Sequence, residues 1–310
     1  MPIEELIKGT SAYKIICGEK LSGSLSHAYL LLSDDGEYLR EYLKVFAKLI
    51  LKTEKDGERI ERLIDKEAYA DCTVYPKDRD KINSADVDEI VSESYVKPLE
   101  NELRLFVLCG NESINESAQN KLLKTLEEPP ENVIILIGAT NEYSLLPTVK
   151  SRVEKLVIPP FSKEALKSAL GKELTDEEKL DDAISLSGGK VSEVKRIYES
   201  GAGESVFALC RQILTSMRSS RDIYKYIDKI DKDNISEFVT AMKEEVGKFI
   251  KEAIKSEDKE YSGFKVGALL KIEDMLDKKR RALYYNANTQ ITVDGILFAI
   301  AEERYRWQKL

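Results

Sequence analysis

AQNKLLKTLEEPPENVIILIGATNEYSLLPTVKSRVEKLVIPPF, residues 118–161, holds a helix pattern, a stop, a strand pattern and a second stop in one run. Leu122, Leu123 and Leu126 recur at helical spacing. Lys121, Lys124, Glu127 and Glu128 fall on the other side, with Lys124 and Glu128 four residues apart. Ser113 and Glu116 form an S-x-x-E capping box ahead of the run and Pro129-Pro130 closes it, so the pattern predicts a helix over 114–128. The apolar stretch Val133–Gly138 that follows predicts a buried strand.

Toward the N-terminus the same alternation continues. Short β-rich runs at Ala28–Leu32, Asp71–Tyr75 and Leu103–Cys109 are each followed by an amphipathic stretch, at Glu37–Leu51, Ala85–Ser94 and Ile114–Glu128. That order predicts an α/β core, a parallel sheet with flanking helices, over residues 1–160. Beyond Pro159-Pro160 the strand signals end. Helical patterns at Lys163–Leu170, Glu177–Ser187 (with a Thr175 and Glu178 capping box) and Val191–Tyr198 predict a small three-helix lid over 161–202. Gly201-Ala202-Gly203 reads as a linker, and 203–310 as an all-α domain of longer helices.

With 310 residues, 42% hydrophobic and 34% charged, the chain is long enough for two or three compact units and rich in helix-forming residues. The longest apolar runs fall far below the roughly 20 residues that a bilayer requires. The N-terminal residues include Glu4, Glu5 and Lys8 and lack an apolar stretch with a small-residue cleavage site, so a cytoplasmic location is expected. Cys17, Cys72, Cys109 and Cys210 form no CxxC pair and there is one histidine, which supports neither a metal site nor a disulfide framework. A net charge of −8 argues against strong DNA binding by this chain alone.

The string 118–161 resembles the clamp-loader branch of the AAA+ ATPases, whose members carry a relative of N-x-L-L-K-T-L-E-E-P-P, a strand ending in A-T, and then L-P-T-V-x-S-R. The resemblance implies a nucleotide site, and its parts can be aligned from fixed points. After the strand at Ala28–Leu32 a phosphate loop G-x-x-x-x-G-K-[ST] should follow, because backbone N–H groups must cradle the phosphates and a lysine must reach them. The chain offers Ser33-Asp34-Asp35-Gly36-Glu37-Tyr38-Leu39-Arg40. Leu39 stands for the lysine, Arg40 for the hydroxyl, and three acids would repel a triphosphate. The family's Asp-Glu pair, which positions magnesium and water, falls on Cys109-Gly110, with Glu112 as the carboxylate of a shifted alignment. Ser192 lies near the arginine with which active lids sense nucleotide. The first sensor corresponds to Thr140-Asn141, where asparagine is also a turn residue in its own right. No cofactor is therefore expected, and the four cysteines that some relatives place between Lys52 and Ala70 are missing.

What is kept is Ser151-Arg152. In relatives this arginine reaches the γ-phosphate held by a neighbour, an effect worth roughly 10³–10⁵ in rate in arginine-finger systems. Taken alone, Arg152 would be read as the surface partner of an acid such as Glu154; Val153 replaces the cysteine of the commoner S-R-C. The C-terminal stretch 278–291, basic at Lys278–Arg281 and carrying Asn286-Ala287-Asn288, resembles the end of the family's collar domain. Together these features imply a non-hydrolysing subunit of the delta-prime kind in the bacterial DNA polymerase III clamp loader. Its implied partners are a gamma/tau-like ATPase and a delta-like subunit, with the sliding clamp and primer-template DNA reached through the assembly. The alternatives are a diverged but active gamma/tau-like ATPase and a clamp-opening delta-like subunit.

Overall fold

The computed structural model describes residues 2–77, 81–110, 114–285 and 287–308. They form two compact units, one holding the chain up to Lys172 together with Gly189–Ser192, the other Glu173–Gly188 and everything from Glu193. The segment 161–202 is thus shared between the two.

The first unit contains helices α1 (Pro2–Lys8), α2 (Ser11–Ser22), α3 (Leu39–Leu51), α4 (Gly57–Asp65), α5 (Ser84–Ser94), α6 (Glu116–Glu127), α7 (Pro147–Lys150) and α8 (Lys163–Leu170), and strands β1 (Ala28–Leu32), β2 (Cys72–Tyr75), β3 (Arg104–Gly110), β4 (Val133–Ala139) and β5 (Glu154–Val157). The strands make one sheet in the order β2-β3-β4-β1-β5, parallel throughout, with Leu30 opposite Ile137 on one side and Lys155 on the other. The expected α/β core is present.

Helices on both faces explain why β1 and β4 are buried along their whole length. Leu30 and Leu32 of β1, Phe106 and Leu108 of β3, and Ile135 and Ile137 of β4 form one cluster with Val87 and Ile90 of α5 and Ala118, Leu122 and Leu126 of α6. On the opposite face α3 packs so tightly that a Cβ on Gly138 would lie 2.5 Å from Leu43 Cδ1 and 3.2 Å from Leu39 Cγ. Only glycine admits this approach.

Several local details differ from the expectations. Ser113 and Glu112 lie outside the described residues. Helix α6 starts at Glu116, and its cap is Asn115, whose side chain accepts from the Ala118 N–H. Ile114 instead makes a parallel bridge with Ile82. Strand β5 was not anticipated, because Glu154 and Lys155 break its apolar pattern at the sheet edge. Helices α1, α2 and α4 were also missed.

The second unit holds α9 (Glu177–Leu186), most of α10 (Val191–Ser200), α11 (Ala202–Ser216), α12 (Ile235–Lys255), a hairpin of β6 (Glu260–Tyr261) and β7 (Phe264–Lys265), α13 (Val266–Tyr284) and α14 (Thr289–Gln308). Asp176, not Thr175, caps α9 by accepting from Lys179 N–H. The expected linker reduces to Gly201 in the left-handed region at φ 66°. Gly203 is already buried inside α11, where a Cβ would meet Ile197 and Asp182 at 3.2 and 3.3 Å. The hairpin and the short 3-10 turns at 220–225 and 227–229 interrupt a region that reads as helix throughout. Arg304 of α14 is wholly buried over the Phe264 ring and donates to the carbonyls of Met217, Leu214 and Ser262, so a cation covers the C-terminal carbonyls of α11. Burial pulls its guanidinium down to about 10, still charged at neutral pH. No helix among the described residues is long and apolar enough to cross a membrane.

Candidate functional site

In an open parallel sheet, ligands bind outside the carboxyl ends of the strands where the strand order reverses. Here that place is the end of β1, flanked by β4 and β5. An open cleft of about 340 Å³ lies there, lined by Leu32, Ser33, Asp34, Thr140, Val157, Ile158, Pro159 and Pro160. The structure thus brings Ser33 and Thr140 to one cleft. The residues that should grip a nucleotide do other work.

Leu39 opens α3 and is fully buried against Gly138, so the position of the phosphate-loop lysine belongs to the core. Arg40 turns to Glu67, giving Nε to Oε1 at 2.8 Å and Nη2 to Oε2 at 2.5 Å, and its Nη1 donates to the Pro76 carbonyl at 3.2 Å. With Lys44 also at 3.0 Å, these bonds hold the Glu67 carboxyl at about 2, Arg40 being the largest cause.

The loop between β1 and α3 is occupied from within. Ser33 N–H donates to the Ala139 carbonyl at 3.1 Å, and Ser33 Oγ accepts from Asp35 N–H at 3.3 Å. The Asp35 carboxylate is 3% exposed, and its Oδ2 accepts both the Tyr42 hydroxyl at 2.9 Å and the Ser192 N–H at 3.2 Å. Burial, and after it the charge of Asp35, pushes the Tyr42 phenol far above its ordinary range. Asp35 Oδ1 is buried with no hydrogen-bond partner among the described residues. An acidic side chain thus already fills the loop, and Asp34 adds a second at the cleft, 3.7 Å from Lys190. Phe161 N–H donates to Gly189 O at 2.9 Å. A Cβ on Gly189 (φ +87°) would meet Phe161 O at 2.8 Å, so the turn before Ser192 is pressed onto the end of the sheet.

Cys109 and Gly110 end β3, one strand beyond β4 from β1. Burial pushes the Cys109 thiol up to about 11, so it is neutral and offers magnesium no ligand at neutral pH. Gly110 has no side chain and packs near Ile114. Asn141 does turn chemistry: its Oδ1 accepts Tyr143 N–H at 3.0 Å and Ser144 N–H at 3.2 Å. Among the described residues no group of three or more His, Cys, Asp or Glu is placed to hold a metal ion. These residues do not fit a magnesium-bound triphosphate.

Arg152 follows α7 and is held by three acceptors. Its Nη1 donates to the Thr148 carbonyl at 2.8 Å and to Ser151 Oγ at 3.0 Å, while Nη2 lies 2.7 Å from Oε1 of Glu127, with 34% and 51% of the two side chains exposed. The acid is Glu127 of α6, not Glu154. One residue that pattern reading missed fixes this corner. Gln119, 4% exposed, donates to the carbonyls of Ile114 and Ser144 at 2.8 and 3.0 Å and accepts Leu146 N–H at 2.7 Å. It thereby ties α6 to the residue that caps α7. A glutamine at the start of an amphipathic helix, two turns before a Glu-Glu-Pro-Pro stop, was the only signal available.

The chain resembles known proteins over its first half. Residues 10–162 match the family described as DNA polymerase III, delta subunit. The chain is 36% identical over 103 residues to DNA polymerase III subunit delta' of Pseudomonas aeruginosa, covering 33% of this chain and 31% of that one. It is 26% identical over 151 residues to subunit delta' of Bacillus subtilis, covering 47% and 46%. To subunit gamma/tau of Mycobacterium tuberculosis it is 30% identical over 84 residues, covering 26% and 14%. It therefore spans less than half the length of each of these relatives. Among solved structures, a DNA polymerase III gamma subunit-related protein of Thermotoga maritima aligns over 95% of this chain and 100% of that one, with 19% identity and a TM-score of 0.42. The resemblance to the family described as DNA polymerase III, delta subunit thus runs through the strands and helices of the parallel sheet unit, over residues 10–162, just under half of the chain.

Proposed function

We propose that the chain is a non-hydrolysing, delta-prime-like subunit of the bacterial DNA polymerase III clamp loader, and that its chemical contribution is Arg152 acting in trans. The observation that carries this reading is a contrast within one unit. The phosphate-loop position is filled by a buried leucine and a buried carboxylate, while the Ser151-Arg152 corner is retained, half-exposed and held at three points.

In this reading Arg152 completes an ATP site on a gamma/tau-like neighbour. A planar, permanently charged guanidinium takes two phosphate oxygens at once and stabilises the charge that develops during transfer, for roughly 10³–10⁵ in rate. Residues 161–202 serve as the lid and 203–310 as the collar that joins the subunit to its ring, beside a delta-like subunit. The sliding clamp and primer-template DNA are met through the assembled complex, in the cytoplasm.

Two measurements test the reading. Arg152→Ala should lower the DNA-stimulated ATPase of the reconstituted loader while leaving assembly intact, and unchanged hydrolysis would sink the finger role. The isolated chain should not bind labelled ATP. Magnesium-dependent binding at micromolar concentration would instead make it a diverged ATPase.

A further inference from the structure

We propose that Glu127 is a positioning residue for Arg152, holding its guanidinium at the exposed edge of the sheet unit before a neighbour's phosphate arrives. The inference rests on Arg152 acting in trans, and it adds a residue to which the finger motif itself gives no role.

Glu127 is the last residue of α6. A carboxylate at a helix C-terminus faces the partial negative charge of the free carbonyls, so the helix alone gives no reason for an acid there. What the acid meets is Arg152 Nη2 at 2.7 Å. The other terminal nitrogen is held by its own segment, at Thr148 O and Ser151 Oγ, and Ser151 Oγ donates to Thr148 O at 3.0 Å. Acceptors on two elements therefore fix the guanidinium plane, and Gln119 locks the same two elements together.

An arginine on a solvated edge samples many rotamers, and each productive encounter must first select one. A side chain restrained beforehand avoids that step at the moment of reaction, which is how preorganised groups lower a barrier. Glu127 supplies the restraint from the element opposite to the one that bears the arginine. Its contact is half-exposed, so it is weak enough to give way when phosphate oxygens compete for the same nitrogen.

The test uses the reconstituted loader with its gamma/tau-like ATPase, reading kcat and KM for ATP under DNA stimulation. Glu127→Ala should lower kcat about fivefold and leave KM unchanged. Glu127→Gln keeps an acceptor oxygen and should recover at least half of that loss. In an Arg152→Ala background, Glu127→Ala should cost nothing more, because its effect passes through the arginine. An unchanged or raised kcat in Glu127→Ala overturns the proposal, as does an equal further loss in the Arg152→Ala background. If Arg152→Ala itself leaves kcat intact, the finger reading fails; if Arg152→Ala is slow while Glu127→Ala is normal, only the role of Glu127 fails.

Discussion

Replacing Gln119 by methionine preserves the length and volume of the side chain and removes its polar atoms, so it isolates the staple between α6 and α7. Three hydrogen bonds are lost, at 2.8, 3.0 and 2.7 Å. Each contributes about 0.5–1.5 kcal/mol net, and Leu146 N–H, together with the carbonyls of Ile114 and Ser144, is left to find water at a part-buried site. The expected destabilisation of the sheet unit is about 2–4 kcal/mol. At a urea slope of about 2 kcal/mol/M, the midpoint should fall by about 1–2 M. The one tryptophan, Trp307, belongs to α14 in the other unit, so its fluorescence is the wrong probe, and a chain of two units need not unfold in one step. Hydrogen exchange resolves the question locally: the amides of Leu146, Val149 and Arg152 should lose protection by the same free energy, with Lys124→Ala on the exposed side of α6 as control. Unaltered protection across 144–152 would refute the staple.

Two further outcomes follow from the packing and the charges. Gly138→Ala forces a methyl to within 2.5 Å of Leu43 Cδ1 and should cost about 1–3 kcal/mol in urea unfolding, with Leu43→Ala in the same chain recovering part of it. Glu67 takes up its proton near 4.5 when unfolded but only near 2 when folded, so lowering the pH favours the unfolded chain. Its stabilisation, at most about 3 kcal/mol, is complete above pH 4.5 and disappears as the pH falls toward 2. Arg40→Met should flatten the dependence of stability on pH in that window, leaving the smaller share that Lys44 supplies; parallel profiles for the two proteins would count against the pairing.

The sheet was legible because its strands are covered on both faces and so write continuous apolar runs, as at Val133–Ala139. Strand β5 escaped for the opposite reason: at the edge, Glu154 and Lys155 face water and no run forms. The start of α6 was read two residues early and the cap of α9 one residue early, since Asn115 and Asp176 cap equally well and compete with Ser113 and Thr175. The loss of phosphate-loop chemistry was visible in Leu39 and Arg40 as residue types. The Asp35 carboxylate at Ser192 and the Gln119 staple were not, because both join residues far apart in sequence and neither follows a periodicity. Glu127 beside Arg152 was not legible for the same reason: it is near in space but 25 residues away in sequence.

Arg304 has a consequence for synthesis. It closes contacts 87 and 90 residues back along the chain, onto the carbonyls of Met217 and Leu214. The sheet unit has all its residues once Ser192 is made, whereas the helical unit waits for residue 304, which is 112 residues later. At about 5–20 residues per second, a ribosome needs about 6–22 s for that interval. During it the Leu214 and Met217 carbonyls lack the Arg304 guanidinium, and the end of α11 keeps only the Met217 N–H bond to Ile213 O, so the helical unit should gain protection from proteases later than the sheet unit, which limited proteolysis of arrested nascent chains would check.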